Sequence, residues 1–490
     1  MKRITNRTFR SLAIVALLTA SGLAARAEVK PNSLFSDGVV LQQGIAVPIS
    51  GTAKDGEKIT VKIQEQTVST TAKDGRWMVK LKPLKAGGPF VLTISGANDL
   101  TIKDVLVGEV WLCSGQSNMA FALSRASNGE EAIAAASDPQ LRLYTVPHEA
   151  KDEPLTDAPG NWKECTPQSV ANFSAVAYFF GRDLRKALKV PVGLIHSSVG
   201  GTPAEAWTAR ATLEADPELK KLLDRHAEAV KNYDPAKAAE QHKQALVKHK
   251  EAVAKAKAEG TEPPRAPTGP NDPSRGNGRP AGLYNGMIAP LEPFAIAGAI
   301  WYQGEANSGR AMEYRKLFPA MIESWRQAFG AGEFPFLFVQ IAPHQGMSPE
   351  IREAQLLTSQ KVPRTAMAVI TDVGEEKDIH PKQKEPVGAR LALAARAIAY
   401  HEKIEYSGPV YDSMKVKGNQ AILSFKHTGG GLVAKDGELK GFTVAGEDGK
   451  FVGAVAKIEG EKVIVTSDAV EKPAAVRYGW VNTSDVNLWN

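Results

Sequence analysis

Four short polar clusters contain the residue types that acyl transfer requires. Along the chain they present a serine, two glycines, an asparagine and a histidine, at residues 115–118, 197–202, 303–307 and 378–381. Ser117 could attack an ester carbonyl, and His380 could take up its proton and return it to the leaving alcohol. Removal of an ester-bound group through an acylated serine is the chemistry that this combination would support.

An acyl-transfer site also needs fixed hydrogen-bond donors for the oxyanion. The candidate donors are the backbone N–H of Ser117, the N–H of Gly200 or Gly201, and the side-chain amide of Asn307. Each cluster also has a simpler interpretation. Gly, Ser and Asn are common in turns, and D-I-H-P at 378–381 could be a capped helix start. His196 is a rival base, although its neighbours suit a turn and favour a packing or substrate-binding role.

The elements between the clusters predict how they come together. Apolar runs at 105–112, 190–195, 295–301, 334–341 and 366–370 alternate with helical periodicity at 169–188, 311–329 and 386–399. Alternating strands and helices predict a parallel sheet with helices on both faces. The four polar clusters fall just after the strands, where ligands bind in such sheets. We therefore expect an α/β catalytic domain over 105–402.

Two regions flank this domain and one segment interrupts it. Residues 28–104 and 403–490 show a period of two with Gly-containing turns, which predicts an N-terminal β-sandwich-like domain and a C-terminal β module. Residues 212–280 form an insertion that is first rich in Ala, Lys and Glu and then rich in Pro and Gly. Its first part predicts one or two charged helices, and its second part an irregular linker.

The first 27 residues have the pattern of a secretory signal peptide. Basic residues precede the apolar run 12–18, and Ala25-Arg26-Ala27 offers a cleavage site. The segment holds five basic and no acidic residues, so the formal net charge falls from +6 for the whole chain to +1 without it. We expect an exported, periplasmic or extracellular protein with no nucleic-acid or membrane partner.

The two cysteines give no clear prediction about redox state. An exported chain could join Cys113 and Cys165, but Cys113 lies in a strand that reads as buried, where a free thiol is common. Neither cysteine has the cluster of ligands that a metal site needs.

The ordered clusters resemble the Ser, Gly, Asn and His blocks of the SGNH hydrolases. More narrowly, W-L-C-S-G-Q-S-N-M at 111–119, I-W-Y-Q-G-E-A-N at 300–307 and D-I-H-P at 378–381 resemble the sialate O-acetylesterase-like carbohydrate esterases. Segments 34–42, 281–287 and 476–480 extend the resemblance over nearly the whole chain after residue 27. It implies an SGNH-hydrolase-like sheet and removal of O-acetyl groups from carbohydrates, with no metal or organic cofactor.

The resemblance also implies residue roles. Ser117 would be the nucleophile, His380 the general base and acid, and Ser117, Gly201 (or Gly200) and Asn307 the oxyanion donors. The substrate-binding or supporting residues would be Gln116, Asn118, Gly200, Gln303 and Glu305. The superfamily places an acid three residues before the histidine, where this chain has Lys377. Asp378 is therefore our candidate for orienting His380, with Asp372 or a backbone carbonyl as alternatives.

The sequence thus predicts an exported serine esterase acting on an acetylated carbohydrate. An inactive carbohydrate-binding protein and a lipase-like esterase of the same fold are the alternatives. An acidic sugar such as sialic acid would favour a nearby arginine, for which Arg210, Arg279 and Arg310 are candidates, and Trp207 and Trp480 could stack on sugar rings. The sequence does not decide between acetylated sialic acid and plant polysaccharides, and it gives no oligomeric state.

Overall fold

The computed structural model describes residues 28–483 and 485–490. The predicted signal peptide, residues 1–27, lies outside the described residues. The first region contains eight strands: β1 Lys30–Pro31, β2 Val40–Gln42, β3 Val47–Thr52, β4 Lys58–Ile63, β5 Gln66–Thr71, β6 Arg76–Leu81, β7 Gly87–Ser95 and β8 Asp99–Gly115. Their alternating burial, as in the Arg76–Leu81 strand, follows from the period-two pattern of the sequence.

The central region alternates strands with helices. Its strands are β9 Asp138–Thr145, β10 Lys163–Cys165, β11 Val192–Ser198, β12 Gly298–Tyr302, β13 Phe336–Val339 and β14 Thr365–Ala368. Its helices are α1 Ser117–Ala120, α2 Gly129–Ala134, α3 Pro167–Val170, α4 Ala175–Leu188, α5 Arg210–Ala215, α6 Pro217–Lys231, α7 Pro235–Glu259, α8 Ala311–Phe329, α9 Pro349–Lys361 and α10 Glu385–Ile398.

The central strands form one sheet in the order β10-β9-β11-β8-β12-β13-β14. All neighbouring pairs from β9 to β14 are parallel, and only β10 is antiparallel. Gly115, at the end of β8, is in register with Ser198 of β11 on one side and with Tyr302 of β12 on the other. This register brings the ends of three strands, and the polar clusters around them, to one edge of the sheet.

Helices cover both faces of this sheet. Trp111 of β8 packs edge-on against Phe180 of α4, with ring centroids 5.1 Å apart, and Trp301 of β12 packs against Trp325 of α8 at 5.6 Å. Trp111 is in register with Gly298, three residues before Trp301. Since side chains alternate along strands, the two tryptophans, and hence α4 and α8, lie on opposite faces.

Strand β8 belongs to two parts of the molecule. Its first half pairs with β7 and β2, and its second half pairs with β11 and β12. One hydrophobic core accordingly runs from Val29 to Ala395. The predicted boundary between residues 104 and 105 falls inside this strand, so the division into an N-terminal and a catalytic domain remains a prediction.

The C-terminal region has its own core. Its strands are β15 Val410–Lys417, β16 Gln420–Lys426, β17 Val433–Ala434, β18 Phe442–Ala445, β19 Val452–Gly453, β20 Val455–Glu459, β21 Lys462–Thr466, β22 Ala475–Tyr478 and β23 Leu488–Trp489. They form small antiparallel sheets around Leu423, Val444 and Val463. Arg352 of α9 holds this region to the central one by donating to the carbonyl oxygens of Gly479, Val481 and Asn482.

The insertion is helical in its first part, as α5, α6 and α7, and irregular over 261–280. Both cysteines are buried free thiols, and burial raises the pKa of Cys165 to about 11. Within residues 28–483 and 485–490, no helix is both long and apolar enough to cross a membrane.

Candidate active site

Ser117 is placed by the abrupt end of strand β8. Gly115 has φ of +143°, and a Cβ atom there would lie 2.2 Å from the carbonyl oxygen of Tyr302, so only glycine fits. The chain then turns into α1, in which Ser117 is the first residue. The first N–H groups of a helix have no partner within it, so the Ser117 amide suits its predicted role as an oxyanion donor.

His380 lies in the loop between β14 and α10 and contacts Ser117 directly. Its Nε2 is 2.8 Å from the Ser117 Oγ, a normal hydrogen-bond distance. The two residues are 263 positions apart in the sequence. The predicted nucleophile and base are therefore brought together in a geometry in which His380 can accept the serine proton.

Asp378 does not complete a conventional triad in this structure. Its Oδ1 lies 3.9 Å from the His380 Nδ1, beyond hydrogen-bond distance, and instead accepts the His380 backbone N–H at 2.9 Å. Asp372, the alternative, is held by two 2.7 Å hydrogen bonds from Arg390. Asp378 is thus the nearer acid, and its charge acts on the imidazole without a hydrogen bond. Asp372 instead pairs with Arg390 of α10.

The charges around His380 favour its neutral form. Partial burial lowers the pKa of His380 below its usual value, and the cations Lys384, Arg125 and Arg265 lower it further, whereas Asp378 raises it. A general base must be unprotonated before it can act. At neutral pH the imidazole is therefore ready to accept the proton of Ser117.

The two glycines of the second cluster differ in what their missing side chains allow. A Cβ on Gly200 would lie 3.3 Å from the Cβ of Ser117, closer than an ordinary contact, so a larger residue there would crowd the predicted nucleophile. Gly201 has φ of +72° and open space around it. Gly200 is thus the glycine that the structure places against Ser117.

Asn307 is fixed by a buried network. Its Oδ1 accepts from the Ala204 N–H at 2.9 Å and from Gln303 Nε2 at 2.6 Å, and its Nδ2 donates to Glu205 Oε2 at 3.0 Å. Glu205 is itself held by Arg310 at 2.6 Å. An amide nitrogen carries two hydrogens, so one remains for the predicted oxyanion contact.

The supporting residues tie the same loops together. Gln116 Oε1 accepts from the Ala306 N–H at 3.3 Å. Asn118 Nδ2 donates to Glu305 Oε1 at 2.6 Å and to the carbonyl oxygen of Ile379 at 2.9 Å. Gln116, Asn118, Gln303 and Glu305 are buried, and they link α1 with the loops after β12 and β14, whereas Gly200 is exposed.

His196 is not part of this arrangement. It is buried, hydrogen-bonds Ser198 at 2.6 Å and packs edge-on against Phe173. Burial and the nearby His148 lower the pKa of His196 to about 4. It is a neutral packing residue of β11, as its neighbours in the sequence indicate.

A cationic cavity opens beside His380. It has a volume of about 350 Å³ and is lined by Phe121, Arg125, Arg265, Asp378, His380 and Lys382. Three of these side chains are basic and one is acidic. The arginines suggested by the sequence are engaged elsewhere, because Arg210 pairs with Glu214, Arg279 with Asp152, and Arg310 with Glu205 and Glu313.

The two arginines of the cavity were missed because nothing in the sequence relates them to His380. Arg125 follows α1, and Arg265 lies in the irregular part of the insertion, 115 positions before the histidine in the chain. Lys384 was missed as well, although it lies four positions after His380, because a lysine before a helix is normally solvent-exposed. Within residues 28–483 and 485–490, no group of three or more His, Cys, Asp or Glu side chains could hold a metal ion.

Comparison with known proteins identifies the family to which this site belongs. The family description "Carbohydrate esterase, sialic acid-specific acetylesterase" matches residues 107–244 and 275–397, which include Ser117, Gly200, Asn307 and His380. The chain belongs to this family. It is a carboxylic ester hydrolase.

Individual relatives extend the match. Sialate O-acetylesterase of Rattus norvegicus is 34% identical over 407 residues, covering 74% of this chain and 71% of the relative. The Homo sapiens protein of the same name is 30% identical over 441 residues, covering 81% and 76%. XAC1771, described as a novel carbohydrate acetylesterase from Xanthomonas citri, has a crystal structure that superposes with a TM-score of 0.79 at 38% identity. That match covers 94% of this chain and 97% of the other.

The esterase family match leaves out residues 245–274. This gap comprises the end of α7 and the start of the irregular segment, including Arg265. One wall of the cationic cavity is therefore supplied by a part of the insertion that lies outside the family description.

Proposed function

We propose that the protein is a serine O-acetylesterase that deacetylates carbohydrates through an acyl-enzyme on an SGNH-type site. The observation that carries this proposal is the 2.8 Å contact between His380 Nε2 and Ser117 Oγ at the end of a parallel sheet. His380 accepts the serine proton as Oγ attacks the acetyl carbon, and then donates it to the sugar oxygen as the ester bond breaks. Water repeats the sequence, releasing acetate and restoring the serine.

The donors for the oxyanion in this mechanism are the Ser117 N–H, the Gly201 or Gly200 N–H and the Asn307 amide. Gly200 lies against the nucleophile, and Asn307 is held rigidly by Ala204, Gln303 and Glu205. Rigid donors are effective because they need no reorientation as charge develops. The contact geometry of Ser117 and His380 also argues against an inactive binding protein.

The first test compares the enzyme with its Ser117→Ala and His380→Ala variants on 4-nitrophenyl acetate. We expect turnover to fall by at least about 1,000-fold in both variants, because a nucleophile and its base act as one unit and loss of either residue disables the unit. Mass spectrometry after rapid acid quench should find an acetyl group on the peptide containing Ser117. A Ser117→Ala variant with normal turnover would refute the mechanism.

We further propose that the natural substrate carries a carboxylate, as acetylated sialic acid does. Arg125, Arg265 and Lys382 give the cavity beside His380 an excess of positive charge, and guanidinium groups bind carboxylates in a bidentate manner. Arg125 is further held in place over the Phe121 ring at 4.5 Å.

The substrate proposal is tested with an O-acetylated sialic acid and a neutral acetylated sugar. For Arg125→Gln and Arg265→Gln we expect kcat/KM to fall about 10- to 100-fold on the acidic sugar, and by less than about threefold on the neutral one. Arg210→Gln, a substitution of an arginine paired with Glu214, is the matched control. Equal losses on both sugars, or faster turnover of the neutral sugar by the parent enzyme, would contradict the proposal.

We also propose that the enzyme is exported, on the basis of the pattern in residues 1–27. Amino-terminal sequencing of the protein from the periplasm or medium of an expressing bacterium should give a start at Glu28. A protein that stays in the cytoplasm with its first residues intact would refute this.

A further inference from the structure

Lys384 is a buried cation immediately behind the catalytic pair. Its side chain is completely buried, and its Nζ donates to Asn118 Oδ1 at 2.5 Å. The ammonium lies over two aromatic rings, 4.8 Å from the centre of Phe121 and 5.1 Å from that of Tyr302. A buried lysine is unusual, and here it is directed at a single amide.

That amide joins the neighbours of both reacting residues. Asn118 follows Ser117 in the chain, and its Nδ2 donates to the carbonyl oxygen of Ile379, the residue before His380. The second hydrogen of the same nitrogen goes to Glu305 Oε1. With Lys384 on its oxygen, Asn118 can adopt only one amide orientation, and this orientation fixes the His380 loop relative to α1.

We propose that Lys384 is a positioning residue for the Ser117–His380 pair, acting through Asn118. The inference rests on the proposed roles of Ser117 and His380. Lys384 touches neither reacting residue by hydrogen bond. It holds the amide that sets their separation, and it places a positive charge behind the imidazole. A small displacement of a base from its nucleophile slows turnover strongly, so a side chain that fixes the contact between Ser117 and His380 supports catalysis.

The charge of Lys384 acts in the same direction as the other cations around His380. Lys384, Arg125 and Arg265 lower the pKa of His380, and Asp378 raises it. Lys382 also lines the cavity. Lys384 itself faces Glu305, Asp378, Glu375 and Arg125, and burial lowers its own pKa to about 7. It therefore carries its charge on the acidic side of neutrality, which is the range in which protonation of His380 is measured. Burial likewise raises the pKa of Glu305.

Two substitutions separate the hydrogen bond from the charge. Lys384→Met removes both while keeping a long, flexible side chain, and Lys384→Gln keeps a donor for Asn118 without the charge. Lys377→Met, which removes an exposed lysine from the same loop, is the matched control. Each kcat is divided by the concentration of active sites, titrated with a serine-reactive organophosphate, so that misfolded protein does not enter the comparison.

For Lys384→Met on 4-nitrophenyl acetate we expect kcat to fall about 10- to 100-fold with KM changed by less than about threefold. Lys384→Gln should recover most of this loss. In both variants the acidic limb of the kcat/KM profile should move to higher pH, because His380 loses a cation that disfavours its protonation. Lys377→Met should match the parent in kcat and in pH profile.

The proposal is overturned if both Lys384 variants keep the parental kcat and pH profile per active site. It is also overturned if both lose activity equally with an unmoved acidic limb, since a purely structural role predicts that result. Either outcome leaves the esterase mechanism standing as long as Ser117→Ala is inactive. A fully active Ser117→Ala variant would remove the basis for both.

Discussion

Asp378 offers a sharp test of whether this esterase works with a dyad or a triad. Asp378→Asn removes the carboxylate charge but keeps an oxygen that can accept the His380 backbone N–H, which Asp378 Oδ1 now accepts at 2.9 Å. The loop conformation should therefore survive the substitution. Any kinetic effect then reports the interaction between the carboxylate and the imidazole.

The size of that effect follows from the geometry. The carboxylate is 3.9 Å from Nδ1, and the side chains of Asp378 and His380 are 45% and 29% exposed. At about 4 Å in a water-like dielectric, two unit charges interact by about 1 kcal/mol. Losing this stabilisation of the imidazolium in the transition state slows turnover by about fivefold. An acid that holds the imidazole by a hydrogen bond would instead be worth about 10,000-fold.

The assay is steady-state hydrolysis of 4-nitrophenyl acetate over a range of pH. We expect kcat of Asp378→Asn to be within about tenfold of the parent. The acidic limb of the pH–rate profile should move to lower pH, because the Asp378 carboxylate raises the pKa of His380 and its removal lets that pKa fall. Asp372→Asn, which breaks the pair with Arg390, should lower thermal stability and leave kcat per active site unchanged. A loss of 1,000-fold or more in folded Asp378→Asn would refute the reasoning and show that the carboxylate reaches Nδ1 during turnover.

Two further predictions concern glycines and the contact with the C-terminal region. Gly200→Ala should reduce kcat by about tenfold or more, because its methyl group crowds Ser117. Gly201→Ala lies at positive φ but in open space, so it should instead cost about 1 kcal/mol of stability in thermal unfolding. Equal effects of the two variants on kcat would contradict the conclusion that Gly200 is the glycine beside Ser117. Arg352→Ala should increase the hydrogen-exchange rate of amides 479–482 by about tenfold, because it deletes a buried guanidinium that donates to three carbonyl oxygens. Arg352→Lys should restore the slow exchange only in part. Unchanged exchange in Arg352→Ala would show that other contacts hold this turn.

The sequence predicted which residues meet at the candidate site better than it predicted the residues that support them. Ser117 and His380 could be predicted from the sequence because both come after predicted strands and lie in segments that resemble the family blocks. The structure brings the two residues together. The orientation of Asp378 could not be predicted, because a difference of one residue in a loop decides whether a carboxylate caps the backbone or reaches Nδ1. Lys384 carried no signal, because its burial depends on Phe121 and Tyr302, which are far away in the chain.

The fold was predictable where the apolar pattern was continuous. Helix α8 occupies the predicted range, and five predicted strands lie within a few residues of β8, β11, β12, β13 and β14. Strand β9 was missed because Pro139 and Arg142 interrupt its apolar pattern. Arg142 is nevertheless buried, with Asp104 and the carbonyl oxygen of Pro139 as partners. When the partner of a buried charge comes from a distant part of the chain, the local sequence gives no sign that the charge is buried.

Strand β8 has a consequence for how the molecule comes apart. One half of it belongs to the N-terminal strands and the other half carries the approach to Ser117, within a single core. Loosening the N-terminal strands should therefore also loosen the segment that carries Ser117, so we expect heat inactivation and unfolding of residues 28–104 to coincide. The C-terminal region, with a core of its own, can melt as a separate calorimetric unit. In protein engineering we therefore expect the C-terminal strands to tolerate replacement better than the N-terminal strands, provided that the carbonyl oxygens bound by Arg352 are kept.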